Sequence, residues 1–257
     1  MRIISEKYQP TQQAKDSLIN ARSRVFPDEE FMKEWYDNYS KNHINRLSFD
    51  LEYLQAEFPE DTSISVLELG STPPILTTAI KDKGYRVTGL DMEPDRFKSC
   101  IDTNGLEVVK GSIGQESLPF EDATFHAVIM NEVFEHLNAN LITVIEDIKR
   151  VMVPGGKLFI STPNLRSMVG IRNFLFRGKA YSCCGEIYEE YDKISKYGHM
   201  GHVREYTPTE LIVFLEKLGL EVQTLIYRGK YPKKYRLIEY LFPKLRPFFS
   251  VVAVKSQ

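Results

Sequence analysis

The chain has 257 residues, enough for one large domain or a domain with a modest cap. Hydrophobic residues make up 42% and charged residues 26%, the balance of a globular rather than a disordered protein. Lys and Arg number 33 against 35 Asp and Glu, a formal net charge of −2, which argues against nucleic-acid binding through bulk charge.

The longest apolar runs, such as Phe248 to Val254, fall short of the roughly 20 residues of a membrane span. The opening Met1-Arg2-Ile3-Ile4-Ser5-Glu6-Lys7 lacks the apolar stretch of a signal peptide. Three cysteines, Cys100, Cys183 and Cys184, are an odd count without metal-knuckle spacing, and point to a reduced, cytoplasmic protein.

From 11 to 58 apolar residues recur at helical spacing, with Phe31, Trp35 and Tyr39 on one stripe and Leu47, Leu51 and Leu54 on another. From Ser63 short apolar runs alternate with helical stretches. Ile64–Leu69, Tyr85–Leu90, Leu106–Val109, Ala127–Met130 and Lys157–Ser161 read as buried strands, with helices near 75–83, 94–103 and 138–152 between them. That alternation predicts a parallel sheet with right-handed crossovers. Residues 165–204 break the rhythm with aromatics and glycines, where open α/β sheets bind ligands. Thr207 with Glu210 has the form of a capping box. Glu221–Ile226 and Phe248–Val254 then close the chain as a hairpin-like pair of strands.

Val66-Leu67-Glu68-Leu69-Gly70-Ser71 is a strand running into a tight turn, and Gly70 lets backbone approach a ligand closely. About twenty residues on, Val87-Thr88-Gly89-Leu90-Asp91 ends a second strand in an acid placed for ribose hydroxyls. A dinucleotide site would need G-x-G-x-x-G at the first turn, but Pro73 and Pro74 remove amide donors from it. A nucleoside without pyrophosphate fits better, which opposes an NAD-dependent oxidoreductase.

Glu68-Leu-Gly70, Gly89-Leu-Asp91, Leu118-Pro119-Phe120 with Phe125, Asn131-Glu132-Val-Phe-Glu135-His136-Leu137, and Val153-Pro154-Gly155-Gly156-Lys157 with Ser161-Thr162-Pro163-Asn164 follow in order. Together they resemble the class I S-adenosylmethionine-dependent methyltransferases. The resemblance implies an α/β fold with a Rossmann-like, seven-stranded, mostly parallel sheet whose last strand is antiparallel. The chain would divide into an N-terminal helical cap (1–60), a cofactor-binding core (61–164), a substrate lid (165–204) and the C-terminal part of the core (205–257). S-adenosyl-L-methionine would be the cofactor, with Glu68, Gly70 and Ser71 at its methionine moiety and Asp91 on the ribose. Met92 would pack on adenine, Ser112 and Ile113 would sit at its edge, and Asn131 would lie near the methyl. The chain departs from the family at Thr72-Pro73-Pro74, at Ser112 where an acid is common, and at Phe125-His126 where Phe-Asp is usual.

Methyl transfer to oxygen needs a positioned, deprotonated nucleophile. Glu132, Glu135 and His136 stand at i, i+3 and i+4, which on a helix leaving the fourth core strand would share one face. Two carboxylates so close invite a cation, and His199 and His202 follow downstream. This E-x-x-E-H cluster with a later His is similar to the metal site of ubiquinone-pathway O-methyltransferases and of small-RNA 2′-O-methyltransferases. The resemblance implies Glu132, Glu135, His136 and His202 around one divalent ion, Mg or Mn, with two positions left for a vicinal diol. Two other readings stay open, His136 as a metal-free base and a structural cluster.

Tyr197, His199, Arg204 and Tyr206 are the candidate substrate residues, though Arg204 beside Glu205 also has the pattern of a surface pair. Cys183 and Cys184 carry no assigned role. Arg228 to Arg246 is basic with interleaved aromatics, a pattern shared by a peripheral membrane contact and by an amphipathic helix with a solvated basic face. The expected activity is O-methylation of a hydroxyl on a sugar, glycan precursor or similar small metabolite. A quinol, phenol or amine acceptor, an RNA 2′-hydroxyl and a non-catalytic cofactor-binding protein are the alternatives, and oligomeric state is left open.

Overall fold

The computed structural model describes residues 1–7, 9–59, 63–197 and 201–256. It is an α/β protein with eight strands in a mostly parallel sheet, where the sequence predicts seven. The extra strand is β1 (Arg2–Ser5), too short and too exposed to carry an apolar signal. The chain divides into two compact units, one of residues 7–129 and 151–153 and one of residues 1–6, 130–150 and 154–257.

The first of these begins with α1 (Gln12–Ser23), capped by Thr11, whose hydroxyl accepts from the Ala14 amide at 3.3 Å. Helix α2 (Met32–Glu57) follows, and the two helices together make up the helical region expected over 11–58. Leu47, Leu51 and Leu54 are buried as their spacing predicts. The other stripe is displaced by one position: Met32, Tyr36, Ser40 and Ile44 face inward and Phe31 is exposed. Trp35 and Tyr39 stack along the helix surface at 5.1 Å. Strand β2 (Ser65–Leu69), α3 (Ile75–Asp82), β3 (Arg86–Asp91), α4 (Lys98–Thr103) and β4 (Glu107–Lys110) then alternate. β2, β3 and β4 pair in parallel, with Leu69 beside Leu90 and Leu90 beside Val109. Most of β5 (Phe125–Asn131) completes this unit.

The other unit carries α5 (Leu141–Val151) and β6 (Met152–Pro163) except for residues 151–153, then α6 (Met168–Arg177), α7 (Ile187–Tyr197), α8 (Pro208–Lys217), β7 (Leu220–Arg228), α9 (Arg236–Leu241) and β8 (Phe248–Lys255). β8 runs antiparallel to both β6 and β7, as the sequence predicts, with Val252 beside Phe159 and Val251 beside Leu225. β1 lies parallel to β7 and is held by a buried ion pair, Arg228 Nε to Glu6 Oε1 at 2.7 Å. Arg228 also donates to Ser250, and Arg246 donates to the Glu6 carbonyl at 2.7 Å, so the charges are compensated on several sides. The capping box at α8 is present, Thr207 and Glu210 exchanging bonds with each other's backbone. Among the described residues no helix is long and apolar enough to cross a membrane.

Candidate active site

The strand-to-helix turn after β2 is pinned to β3. The Gly70 and Ser71 amides both donate to the Leu90 carbonyl, at 2.8 and 3.2 Å, and Gly70 takes φ 72°, a conformation that glycine adopts without steric cost. Asp91 accepts from the Thr72 amide at 3.0 Å through one oxygen and from the Glu93 amide at 2.9 Å through the other. The carboxylate is thus oriented by backbone while each oxygen keeps a further lone pair for a ribose hydroxyl. A Cβ on Gly89 would fall 2.5 Å from the Ser71 hydroxyl, so glycine on β3 is what lets the turn lie down on the strand.

Two atoms bear on whether a nucleoside cofactor fits. The Ser71 hydroxyl and the Asn131 side-chain nitrogen are buried and have no hydrogen-bond partner among the described residues. Buried polar groups are rarely left unpaired in a folded protein, and each, within its own unit, lies on a residue expected to touch cofactor. Met92, Ser112 and Ile113 are half-buried, accessible enough for an adenine edge. Glu68 is different. It is buried on β2 against Thr77, whose hydroxyl donates at 2.5 Å, and burial pushes its carboxyl up to about 8. His126, where the family has Asp, accepts from the Ser65 amide at 3.2 Å and braces β5.

The acid and imidazole cluster has its own architecture in the other unit, and it is not the helix face expected from the spacing. Glu132 has φ 55°, in the left-handed region that costs a non-glycine residue roughly 1–2 kcal/mol. Phe134–His136 is a single 3-10 turn, and α5 begins only at Leu141. Glu132 turns back to β6, its amide donating to the Ser161 carbonyl at 2.8 Å and its carboxylate accepting from the Ser161 hydroxyl at 2.6 Å. Glu135 is buried and accepts from the Thr162 hydroxyl at 2.9 Å.

The turn brings Glu135 and His136 to the loop at 201–205. Val203 and Arg204 amides donate to the Glu135 carbonyl at 2.8 and 3.2 Å. His136 Nδ1 lies 2.9 Å from the Gly201 carbonyl, which can only accept, so in the neutral ring Nδ1 carries the proton and Nε2 the lone pair. His202 repeats the arrangement, with Nδ1 3.3 Å from Glu205 Oε1. The two rings meet edge to face at 4.7 Å. Glu135, His136 and His202 each offer one ligand atom within 4.8 Å of the others. Imidazoles steadied through Nδ1 by a carbonyl and a carboxylate are the usual arrangement around a bound cation. Glu132, expected as a fourth ligand, is not in this set.

A second group of Cys184, His202 and Glu205 shares His202. Glu205 is the residue the sequence hid. It is fully buried rather than part of a surface pair, and Arg204 instead bonds Glu210 at 2.7 Å. Burial raises the Glu205 carboxyl, but bonds from His202, the Ser182 hydroxyl and the Cys183 and Ser182 amides outweigh it and hold it at about 2. Cys184 donates to the same carboxylate at 3.2 Å, and burial with that negative charge pushes its thiol up.

Of the other substrate candidates, Tyr206 is buried against Phe134 at 4.9 Å and belongs to the core. Arg204 is exposed over the Tyr206 ring. Tyr197 ends α7 with its side chain outside the described residues, and His199 lies outside them altogether. The segment between β6 and α8 encloses a cavity of about 570 Å³ lined by Lys179, Tyr181, Ile187, Tyr188, Arg204 and Glu205 among others. That segment is tied to the cluster through Glu190 of α7, buried and accepting from the His202 amide at 2.9 Å. Neither Glu190 nor Glu205 carries a local pattern that would have singled it out.

A family profile described as a methyltransferase domain matches residues 33–225. The chain belongs to that family. It is a class I S-adenosylmethionine-dependent methyltransferase. The methyltransferase is 25% identical over 237 residues to a ubiquinone biosynthesis O-methyltransferase of Vibrio cholerae, covering 85% of this chain and 90% of that one. It is 34% identical over 146 residues, 54% of this chain and 53% of the other, to a probable phthiotriol/phenolphthiotriol dimycocerosates methyltransferase of Mycobacterium ulcerans. Its fold is similar to that of a SAM-dependent methyltransferase from Archaeoglobus fulgidus, with TM-score 0.61 and 18% identity over 86% of this chain and all of that one. A methyltransferase from Haloferax volcanii, solved with the Trm112 activator, gives TM-score 0.59 at 18% identity over 89% and 99%.

Proposed function

We propose that this methyltransferase transfers the methyl group to a hydroxyl of a small metabolite, a sugar or glycan precursor, and that Glu135, His136 and His202 hold a divalent cation at the acceptor. The observation that carries this reading is the convergence of one carboxylate and two imidazoles whose Nδ1 atoms are both occupied by acceptors. S-adenosylmethionine, when bound, supplies a methyl on a sulfonium that departs as a neutral thioether. A divalent cation, when bound, supplies positive charge that lowers the pKa of a nearby hydroxyl. One carboxylate and two nitrogens suit Mn or another transition metal as well as Mg.

The residues themselves do the positioning. Asp91, set by the Thr72 and Glu93 amides, takes the ribose, and Ser71 of the same unit offers an unpaired polar atom to the rest of the cofactor. Gly201 and Glu205 fix the two imidazoles, and Thr162 fixes Glu135. Tyr181, Tyr188 and Ile187 give the lid cavity apolar and ring surface, while Lys179 and Arg204 give it charge. These are walls suited to a polar ring.

A second reading has a phenolic acceptor and no cation, with His136 Nε2 taking the hydroxyl proton. The name of the Vibrio relative, an O-methyltransferase of ubiquinone biosynthesis, favours the acceptor of this reading and says nothing of the cation. The test is transfer from labelled S-adenosylmethionine to lipid, glycan, small-molecule and nucleic-acid fractions of a cell extract, with and without chelator. Label in glycan or small molecules that chelator abolishes is the expected result. Chelator-resistant label in an aromatic lipid would shift the assignment to the second reading, and label in nucleic acid would overturn both.

A further inference from the structure

Two helices of the second unit are built inside out. On α6 the buried residues are Gly170 and Asn173, while Phe174, Leu175 and Phe176 are exposed, Phe176 to 81%. On α9 the buried residue is Glu239, accepting from the Tyr231 amide, while Leu237, Tyr240 and the following Phe242 are exposed, Tyr240 to 77%. A helix on an aqueous surface arranges its residues the other way.

The two helices leave from one corner. The Tyr231 hydroxyl donates to the Leu245 carbonyl at 3.1 Å and also bonds Ser167, the N-cap of α6. Asn164, just before α6, donates to the Lys244 and Arg246 carbonyls at 3.1 and 2.8 Å. The apolar residues are flanked by positive charge. Lys233, Lys234 and Lys244 are exposed, and the single acid between residues 229 and 247 is the buried Glu239. Arg177, at the end of α6, is exposed as well.

We infer that α6 and α9 form a docking surface for an anionic lipid bilayer, with Phe174, Phe176, Leu237 and Tyr240 entering the headgroup boundary. Exposed aromatic and aliphatic side chains bordered by lysine are what such a boundary selects, and the charge excludes an equally basic second copy as the natural occupant. The inference does not depend on the acceptor. It stands or falls separately from the methylation reading.

The test is flotation of the full-length protein with vesicles of phosphatidylcholine alone and of phosphatidylcholine mixed with phosphatidylglycerol, at low and high salt. Wild type floats with the anionic vesicles, less so in high salt, and stays behind with the neutral ones. Lys233→Gln, Lys234→Gln and Lys244→Gln each lower partition by roughly fivefold. Phe174→Ser with Leu237→Ser lowers it further while circular dichroism and thermal midpoint stay at wild-type values, because both residues are exposed. Absence of wild-type flotation overturns the inference. So does partition indifferent to the lysines, or light scattering that shows a dimer dispersed by the Phe174→Ser change.

Discussion

Replacing Gly89 by alanine is a sharp perturbation of the cofactor half. The new Cβ would lie 2.5 Å from the Ser71 hydroxyl, 2.8 Å from the Ser71 Cβ and 3.3 Å from Val108 Cγ2. The first two are shorter than any stable contact, so Ser71 must move. It cannot move alone, because its own amide and that of Gly70 are bonded to the Leu90 carbonyl and the next amide is bonded to Asp91. Overpacking of this kind costs about 1–3 kcal/mol. A displacement of about 1 Å at a positioning turn lowers function by as much as roughly a hundredfold. Calorimetric titration with S-adenosylhomocysteine and thermal unfolding of the same samples would measure both. Ser71→Gly in the double variant removes the clashing atoms and should recover most of the stability, giving a coupling of about 1–2 kcal/mol between the two sites. A Gly89→Ala protein with wild-type midpoint and affinity, or a strictly additive double variant, would refute the reasoning.

Ser71→Ala should act with opposite signs on stability and binding. It deletes a buried, unpaired hydroxyl, so the cofactor-free protein should gain up to about 1 kcal/mol in urea unfolding while affinity for S-adenosylmethionine falls. Glu68→Gln should flatten a pH dependence. Burial holds the Glu68 carboxyl at about 8, above its unfolded value, so its contribution is intact in acid and is lost as pH rises toward 8. Wild type should lose about 2–3 kcal/mol relative to the variant between pH 5 and pH 7, and parallel stability curves would contradict this. Thr207→Ala removes the α8 capping box and should cost about 1 kcal/mol in thermal unfolding.

The parallel core was legible because β2, β3 and β5 are apolar runs separated by helices, a pattern set by burial, while β4 is a half-exposed edge strand. The closing antiparallel pair was legible for the same reason. β1 was not, since Arg2–Ser5 is exposed and is held by Glu6 and Arg228, partners 222 residues apart. At the cluster the residue types pointed to the right turn but the spacing argument failed. The i, i+3, i+4 rule assumes helical backbone, and Glu132 sits at φ 55°. Glu190 and Glu205 were illegible because a loop packed on α7 buries them, which no local periodicity records. The inverted faces of α6 and α9 were hidden too, since helical spacing gives the stripe but not which side turns inward.

The most direct test of the account pairs two readings on one preparation of His202→Ala and wild type. One is the affinity for S-adenosylmethionine, and the other is the rate of label transfer to whichever fraction wild type methylates. Removing one of three convergent side chains should leave cofactor affinity within a few-fold and lower transfer by roughly a hundredfold or more. Transfer at the wild-type rate by a variant that binds cofactor normally would remove the Glu135, His136 and His202 cluster from the chemistry.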